Sequence, residues 1–273
     1  LLTFVTSCGE NISPVDSGLE QQIFHFGNGA EPQGLDAHIV TGVPEHHLLI
    51  ALCEGLTSSN PKGGSPLPGM AESWTLSDDG TIYTFNINND AKWSNGDQVV
   101  ANDFVWSWKR VLTPSLGSQY TDMLYYVKNA KAFYNGEIED FSEVGVKALD
   151  EYTLEVALEN PTPFFLGLLS HYSTWPVHKD TVLKHGDIDD RNGQWTRPGN
   201  FVCNGPFQLK SWELNNKIVV EKNPFYWDSE VVKLNEIHFY PISNPMTEDR
   251  MFRAGQLHYT NTVPSQKCPV YIE

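Results

Sequence analysis

The residues of this 273-residue chain that could do chemistry are nine histidines, four cysteines and several grouped carboxylates. Their spacing assembles no catalytic centre. His46 and His47 are adjacent, so one backbone sends them to different faces. His171, His178 and His185 are interrupted by Pro176, which breaks a single helical stripe, and no metal site is expected from them. Gly63-Gly64-Ser65-Pro66-Leu67 lacks the second glycine of a nucleophile elbow, and no Gly-rich phosphate loop occurs. Asp78-Asp79, Glu137 with Glu139 and Asp140, and Asp189-Asp190 fall in or beside turn sequences, where carboxylates read as solvated charge. Cys53, Cys203 and Cys268 form neither a zinc knuckle nor a C-x-x-C pair and allow at most one disulfide among themselves. Cys53, inside the apolar run 47–56, reads as a small buried residue. The expectation is a protein with no catalytic residues, no metal and no cofactor, and therefore not an enzyme.

Composition narrows the partners. A formal net charge of −16, from 34 acidic against 18 basic residues, opposes phosphate backbones and anionic lipid surfaces, so nucleic acid is excluded as a partner. A hydrophobic content of 40% supports a substantial core, in one large domain or two medium ones. The 8 Trp, 11 Tyr and 14 Phe serve that core, and some are available to line a cleft. No apolar run is long enough for a complete transmembrane helix.

The clearest structural signals lie in 70–112. Asp79-Gly80 is a turn dipeptide, and Tyr83, Phe85 and Ile87 alternate with Thr84, Asn86 and Asn88 as in a half-buried strand. Asn95-Gly96 supplies a second tight turn. Asn102 or Asp103 is then expected to cap a helix whose apolar stripe is Phe104, Val105, Trp108, Val111 and Leu112, stopped by Thr113-Pro114. Elsewhere, Ile23 to Phe26 reads as a strand and Leu48, Leu49, Leu52 and Leu56 as a helix. Residues 144–158 read as a hairpin, 164–169 as a helix, and 207–212, 218–221 and 234–242 as strands. Thr247 is expected to cap a helix ending at Gly255, and Leu257-His258-Tyr259 to start a further strand. Residues 187–196 are polar and read as an exposed crossing.

The ordered set Met70-Ala71-Glu72-Ser73-Trp74, Asp79-Gly80, Tyr83-Thr84-Phe85, Ala91 to Gly96 and Ala101 to Val105 resembles the family-5 extracellular solute-binding proteins, the oligopeptide and dipeptide receptors of ABC importers. Asn204-Gly205-Pro206-Phe207 and Asn223-Pro224-Phe225-Tyr226-Trp227 extend the resemblance, with Lys222 in place of the usual arginine. The fold this implies is α/β (mixed α+β), a periplasmic-binding-protein-like type II lobe with an inserted smaller α+β lobe. The first lobe would comprise 18–60 and 197–273, the second 61–196. Because family members continue well beyond Glu273, the resemblance also implies that this chain is a portion lacking the second ligand-binding jaw.

The implied function is capture of oligopeptides outside the cytoplasmic membrane and delivery to ABC permease subunits, by a monomer. Alternatives are another cargo on the same fold (a metal chelate, a sugar or a signalling peptide) and a secreted hydrolase. The resemblance places Thr41, Gly42 and Val43 on the first-lobe loop that forms one wall of the peptide cleft, and Tyr120 where an aromatic faces the ligand. Read from residues alone, 41–43 is equally a surface loop capping the helix that follows, and Tyr120 equally packs on Tyr125 or Tyr126. Val5-Thr6-Ser7-Cys8 looks like a lipoprotein lipobox, which implies lipidation of Cys8 and a periplasmic or outer-face location. On that reading 1–17 is the end of a signal peptide and a polar linker.

Overall fold

The computed structural model describes residues 12–272. Its elements in chain order are α1 (Pro14–Gln21), β1 (Ile23–Gly27), α2 (Val43–Leu52), β2 (Thr57–Ser58), β3 (Leu67–Pro68), β4 (Ala71–Leu76), β5 (Ile82–Ile87), α3 (Ala101–Leu112) and α4 (Ala130–Tyr134). There follow β6 (Val146–Ala148), β7 (Thr153–Ala157), α5 (Phe165–Leu168), α6 (Lys179–His185), β8 (Phe207–Glu213), β9 (Lys217–Lys222), β10 (Glu236–Tyr240), α7 (Pro245–Arg253) and α8 (Cys268–Ile272). The fold is mixed α/β. The described residues form two compact units, one of 12–31, 213–219 and 233–272, the other of 32–212 and 220–232.

The larger unit is built on the antiparallel sheet β4-β5-β7-β6. Alternation fixes its register, because a one-residue slip would turn Tyr83, Phe85 and Ile87 to solvent. These three are buried, and Tyr83 and Phe85 pair with Val156 and Leu154 on β7. Both turns that bound β5 and the following loop use glycine in the left-handed region, Gly80 at φ +73° and Gly96 at φ +93°. Helix α3 contributes Phe104, Trp108, Val111 and Leu112 to the same core cluster. The helix starts two or three residues earlier than expected. Val100 is its N-cap residue, and Asp103 works from the third helical position, its Oδ2 accepting the Val100 amide at 2.9 Å and the Trp93 indole at 3.1 Å. A carboxylate in the first turn both satisfies an orphan amide and opposes the positive end of the helix.

The smaller unit pairs β1 with β10 in parallel, Ile23 opposite Glu236 through Gly27 opposite Tyr240. Three expectations change here. Residues 14–17, expected as linker, open a helix, Pro14–Gln21, because Ser13 caps it by accepting the Asp16 amide at 3.1 Å and Pro14 suits the first turn. The cap of α7 is Asn244, whose Oδ1 accepts the amides of Met246 and Thr247 at 3.0 and 3.1 Å, so Thr247 lies inside the helix. Leu257 to Tyr259 makes only an isolated parallel bridge, Phe26 to Tyr259, rather than a strand. Cys8 and its lipobox lie outside the described residues. No helix among the described residues is long and apolar enough to cross a membrane.

A histidine cluster joins His25 of β1, His238 of β10 and His258, which follows α7. The His25 amide donates to His258 Nδ1 at 3.0 Å, and the His25 ring lies 5.5 Å from His258 and 5.1 Å from His238. Burial, then the neighbouring His238 and His258, push His25 down from 6.5 to about 4. A folded-state value below the unfolded one means that stability is fully present above pH 6.5 and is lost as pH falls towards 4. Urea unfolding of the wild type and His25→Gln across this window should show a steeper acid loss in the wild type; parallel pH profiles would contradict the assignment.

Candidate functional site

Helix α3 carries three side chains whose polar atoms reach beyond the sheet core and fix neighbouring segments. Arg110 is fully buried and makes a bidentate ion pair with Asp36, Nη1 to Oδ1 at 2.9 Å and Nη2 to Oδ2 at 2.6 Å. Burial alone would raise the Asp36 pKa, but the Arg110 charge and hydrogen bonds outweigh it and hold Asp36 below the ordinary carboxylate range. Arg110 Nη1 also lies 3.0 Å from His38 Nδ1. A guanidinium can only donate, so Nδ1 accepts, and the His38 proton resides on Nε2, which donates to the Trp175 carbonyl at 3.0 Å. Burial first, and the Arg110 charge second, push His38 down to about 4, so it is neutral at pH 7.

The other two side chains reach a second segment. Trp108 Nε1 donates to the Thr174 carbonyl at 2.8 Å, and Ser107 Oγ accepts the Val177 amide at 2.9 Å. This fixes 171–177, which presents His171 and Tyr172. One helix therefore positions both the loop 33–41, through Arg110, and the aromatic segment beside it. Tyr172 closes the circuit, its hydroxyl donating to the Val40 carbonyl at 3.2 Å.

Onto this frame the chain places Thr41, Gly42 and Val43. Gly42 is the N-cap residue of α2, and its carbonyl accepts the His46 amide at 3.1 Å. A Cβ at Gly42 would overlap Glu45 Oε2, so a side chain there would displace the Glu45 carboxylate. Glu45 is buried, and its Oε1 accepts the Gln33 amide at 2.6 Å, tying both ends of the loop together. Tyr120 comes to the same place: its hydroxyl donates to the Thr41 carbonyl at 3.4 Å. Its ring meets His171 edge-on at 4.9 Å and Tyr172 at 6.1 Å. The aromatic partners of Tyr120 are thus His171 and Tyr172, not Tyr125 or Tyr126.

The four residues singled out in the sequence are therefore one cluster. Among the described residues, the amides of Thr41, Gly42 and Val43 have no hydrogen-bond partner within the chain. Three successive free donors at the start of a helix, on a loop whose Thr41 and Val43 side chains are exposed, can receive carbonyl or carboxylate oxygens.

Arg110 was not legible as a site residue; the available signal was an arginine set among the apolar positions of a helix, close to the spacing of Ser107 and Val111. The run 187–196 is also more than an exposed crossing. Arg191 donates to the carbonyls of Leu116 and Gly117, and Trp195 and Thr196 are buried. Glu54, another residue not singled out, accepts the Trp227 indole at 2.9 Å and the Ser58 hydroxyl at 2.9 Å, while Asn204 bonds the Glu54 backbone on both sides. This explains the physical role of the N-G-P-F and N-P-x-Y-W segments: they clamp the end of α2. Cys53 and Cys203 are buried free thiols, with burial pushing Cys203 up to about 12.

Residues 65–272 match the family model described as "Bacterial extracellular solute-binding proteins, family 5 Middle". The chain is 40% identical to the periplasmic oligopeptide-binding protein OppA of Escherichia coli K12, over 89% of this chain and 43% of that protein. It is also 40% identical to the oligopeptide-binding protein OppA of Bacillus subtilis, over 79% of this chain and 39% of that one. Its fold matches the crystal structure of Haemophilus influenzae OppA in complex with RPPGFSPFR at a TM-score of 0.86 and 37% identity, covering 92% of this chain and 48% of that chain. The chain spans about half the length, or less, of these relatives. On these grounds the chain belongs to the bacterial extracellular solute-binding proteins of family 5.

Proposed function

We propose that this chain supplies one wall of an oligopeptide-capture site, in a receptor that delivers peptides to an ABC permease from outside the cytoplasmic membrane. The observation that carries the reading is the cluster of Thr41, Gly42, Val43 and Tyr120, where free amides and a lightly held carbonyl come together beside the exposed Thr41 and Val43 side chains. An extended peptide has the complementary groups. Its carbonyls accept from the amides of 41–43, one of its amides shares the Thr41 carbonyl with the Tyr120 hydroxyl, and the Tyr120 ring packs against it. Such main-chain pairing is indifferent to side-chain identity, as strand addition is elsewhere. A second lobe closing over this wall would exclude water and strengthen each bond. Membership of the family supports the same reading, as do oligopeptide-binding relatives similar over most of this chain.

The division into a first lobe of 18–60 with 197–273 and a second of 61–196, monomeric action, and a lipid anchor at Cys8 belong to the same proposal. A tryptophan-fluorescence titration with a pool of mixed short peptides, on the protein expressed from the complete reading frame, should saturate; no change with any pool would refute the proposal.

A further inference from the structure

Beside Thr41, on the other side of the loop 33–41, lies a cavity of about 400 Å³. The segment 191–197 forms its far wall, and Gln119, next to Tyr120, borders it. Two of its lining residues, Arg191 and Arg197, are cations, and Asp36 is its one acidic lining residue. The Asp36 charge is already matched inside the protein by the bidentate Arg110 pair. Arg191 is held by neutral partners, the carbonyls of Leu116 and Gly117, which position the guanidinium without cancelling its charge. Neither Arg191 nor Arg197 has an ion-pair partner among the described residues. The nearest acidic residues in sequence, Asp189 and Asp190, are directed to the Ser115 hydroxyl and the Asn192 amide and do not line the cavity.

In a chain of net charge −16 this is a local excess of positive charge, carried by two exposed arginines on a solvent-open cavity that Thr41 also lines. Arginine's planar fork suits a carboxylate in particular, since two parallel N–H donors meet its two oxygens. We propose that this cavity is a specificity subsite for a carboxylate side chain of the bound peptide, with Arg197 as the pairing cation and Arg191 as a fixed second charge. The inference rests on the peptide reading above and deepens it: the receptor takes peptides generally but prefers those with an acidic residue at the position adjoining Thr41.

The test is calorimetric titration of the protein from the complete reading frame, at low salt, with tripeptides carrying Glu or its neutral isostere Gln at each position in turn. At one position the Glu peptide should bind about tenfold more tightly than its Gln counterpart, the gain expected of one charge-assisted pair. That ratio should fall towards one in Arg197→Gln and invert in Arg197→Glu, with unchanged thermal unfolding confirming the fold. Free glutarate should bind far more weakly than the Glu tripeptide, because the carboxylate is to be delivered by the peptide main chain. Equal affinities for Glu and Gln at every position would overturn the subsite while leaving peptide capture intact. Glutarate binding as tightly as the Glu peptide would overturn it in favour of a free-anion site. Binding of neither peptide would remove both readings.

Discussion

Replacing Arg110 by methionine should destabilise the protein by about 3 to 5 kcal/mol, because it leaves the Asp36 carboxylate without the cation that accompanies it in the interior. The loss has a second component, since His38 Nδ1 loses its donor and the stacking of the guanidinium over Trp195, at 5.6 Å, disappears. The double variant Asp36→Leu with Arg110→Met should recover much of the loss, because desolvating the ion pair opposes its mutual attraction. Urea unfolding of the three proteins separates these contributions. A loss under about 1 kcal/mol for Arg110→Met would mean that the pair is solvated and does not anchor the loop. Peptide affinity should fall in the single variant as well, since the amides of 41–43 depend on that anchor for their positions.

Trp108→Ala should cost a similar amount, about 3 to 5 kcal/mol, for a different reason. The indole is fully buried in the sheet–helix core, and its Nε1 donates to the Thr174 carbonyl at 2.8 Å. Truncation opens a cavity and leaves that buried carbonyl without a donor. Trp108→Phe keeps most of the volume and isolates the hydrogen-bond part, which should be about 1 to 3 kcal/mol. Because Thr174 belongs to the segment that carries His171 and Tyr172, the alanine variant should also loosen the packing around Tyr120. A loss under about 1 kcal/mol would place the stripe at the surface.

What the sequence discloses follows from the range over which each feature is determined. The strand at Tyr83, Phe85 and Ile87, the turns at Gly80 and Gly96, and the stripe of α3 depend on neighbours a few residues away, so periodicity and backbone preference suffice. Caps are also local but degenerate. Asp103 and Thr247 are both plausible caps by type, yet each lies one turn inside its helix, because Val100 and Asn244 reached the extended backbone first. The strand expected at 257–259 has the right residues but only one bridging neighbour, and a strand exists by virtue of its partners.

The site divides in the same way. Thr41, Gly42, Val43 and Tyr120 were reached through resemblance, and their juxtaposition spans 79 residues of chain, from Thr41 to Tyr120. Arg110 with Asp36 spans 74, and nothing local marks a buried arginine as the partner of a distant carboxylate. The anchoring of Arg191 on the carbonyls of 116–117 is equally remote from sequence logic, which sees only a polar run.

The stretch 70–112 holds the clearest structural signals in the chain, and its helix turns out to carry the site indirectly, through Arg110, Ser107 and Trp108, without contributing a residue to the cluster of 41–43 and 120. The central claim is that this cluster receives peptide. The fluorescence titration with mixed short peptides tests it most directly when wild type and Tyr120→Ala are run side by side on the protein from the complete reading frame. The account predicts saturation in the wild type and affinity about tenfold weaker in the variant, consistent with loss of one hydrogen-bonding and packing group at the wall. Superimposable curves, or no response to any peptide pool, would contradict it.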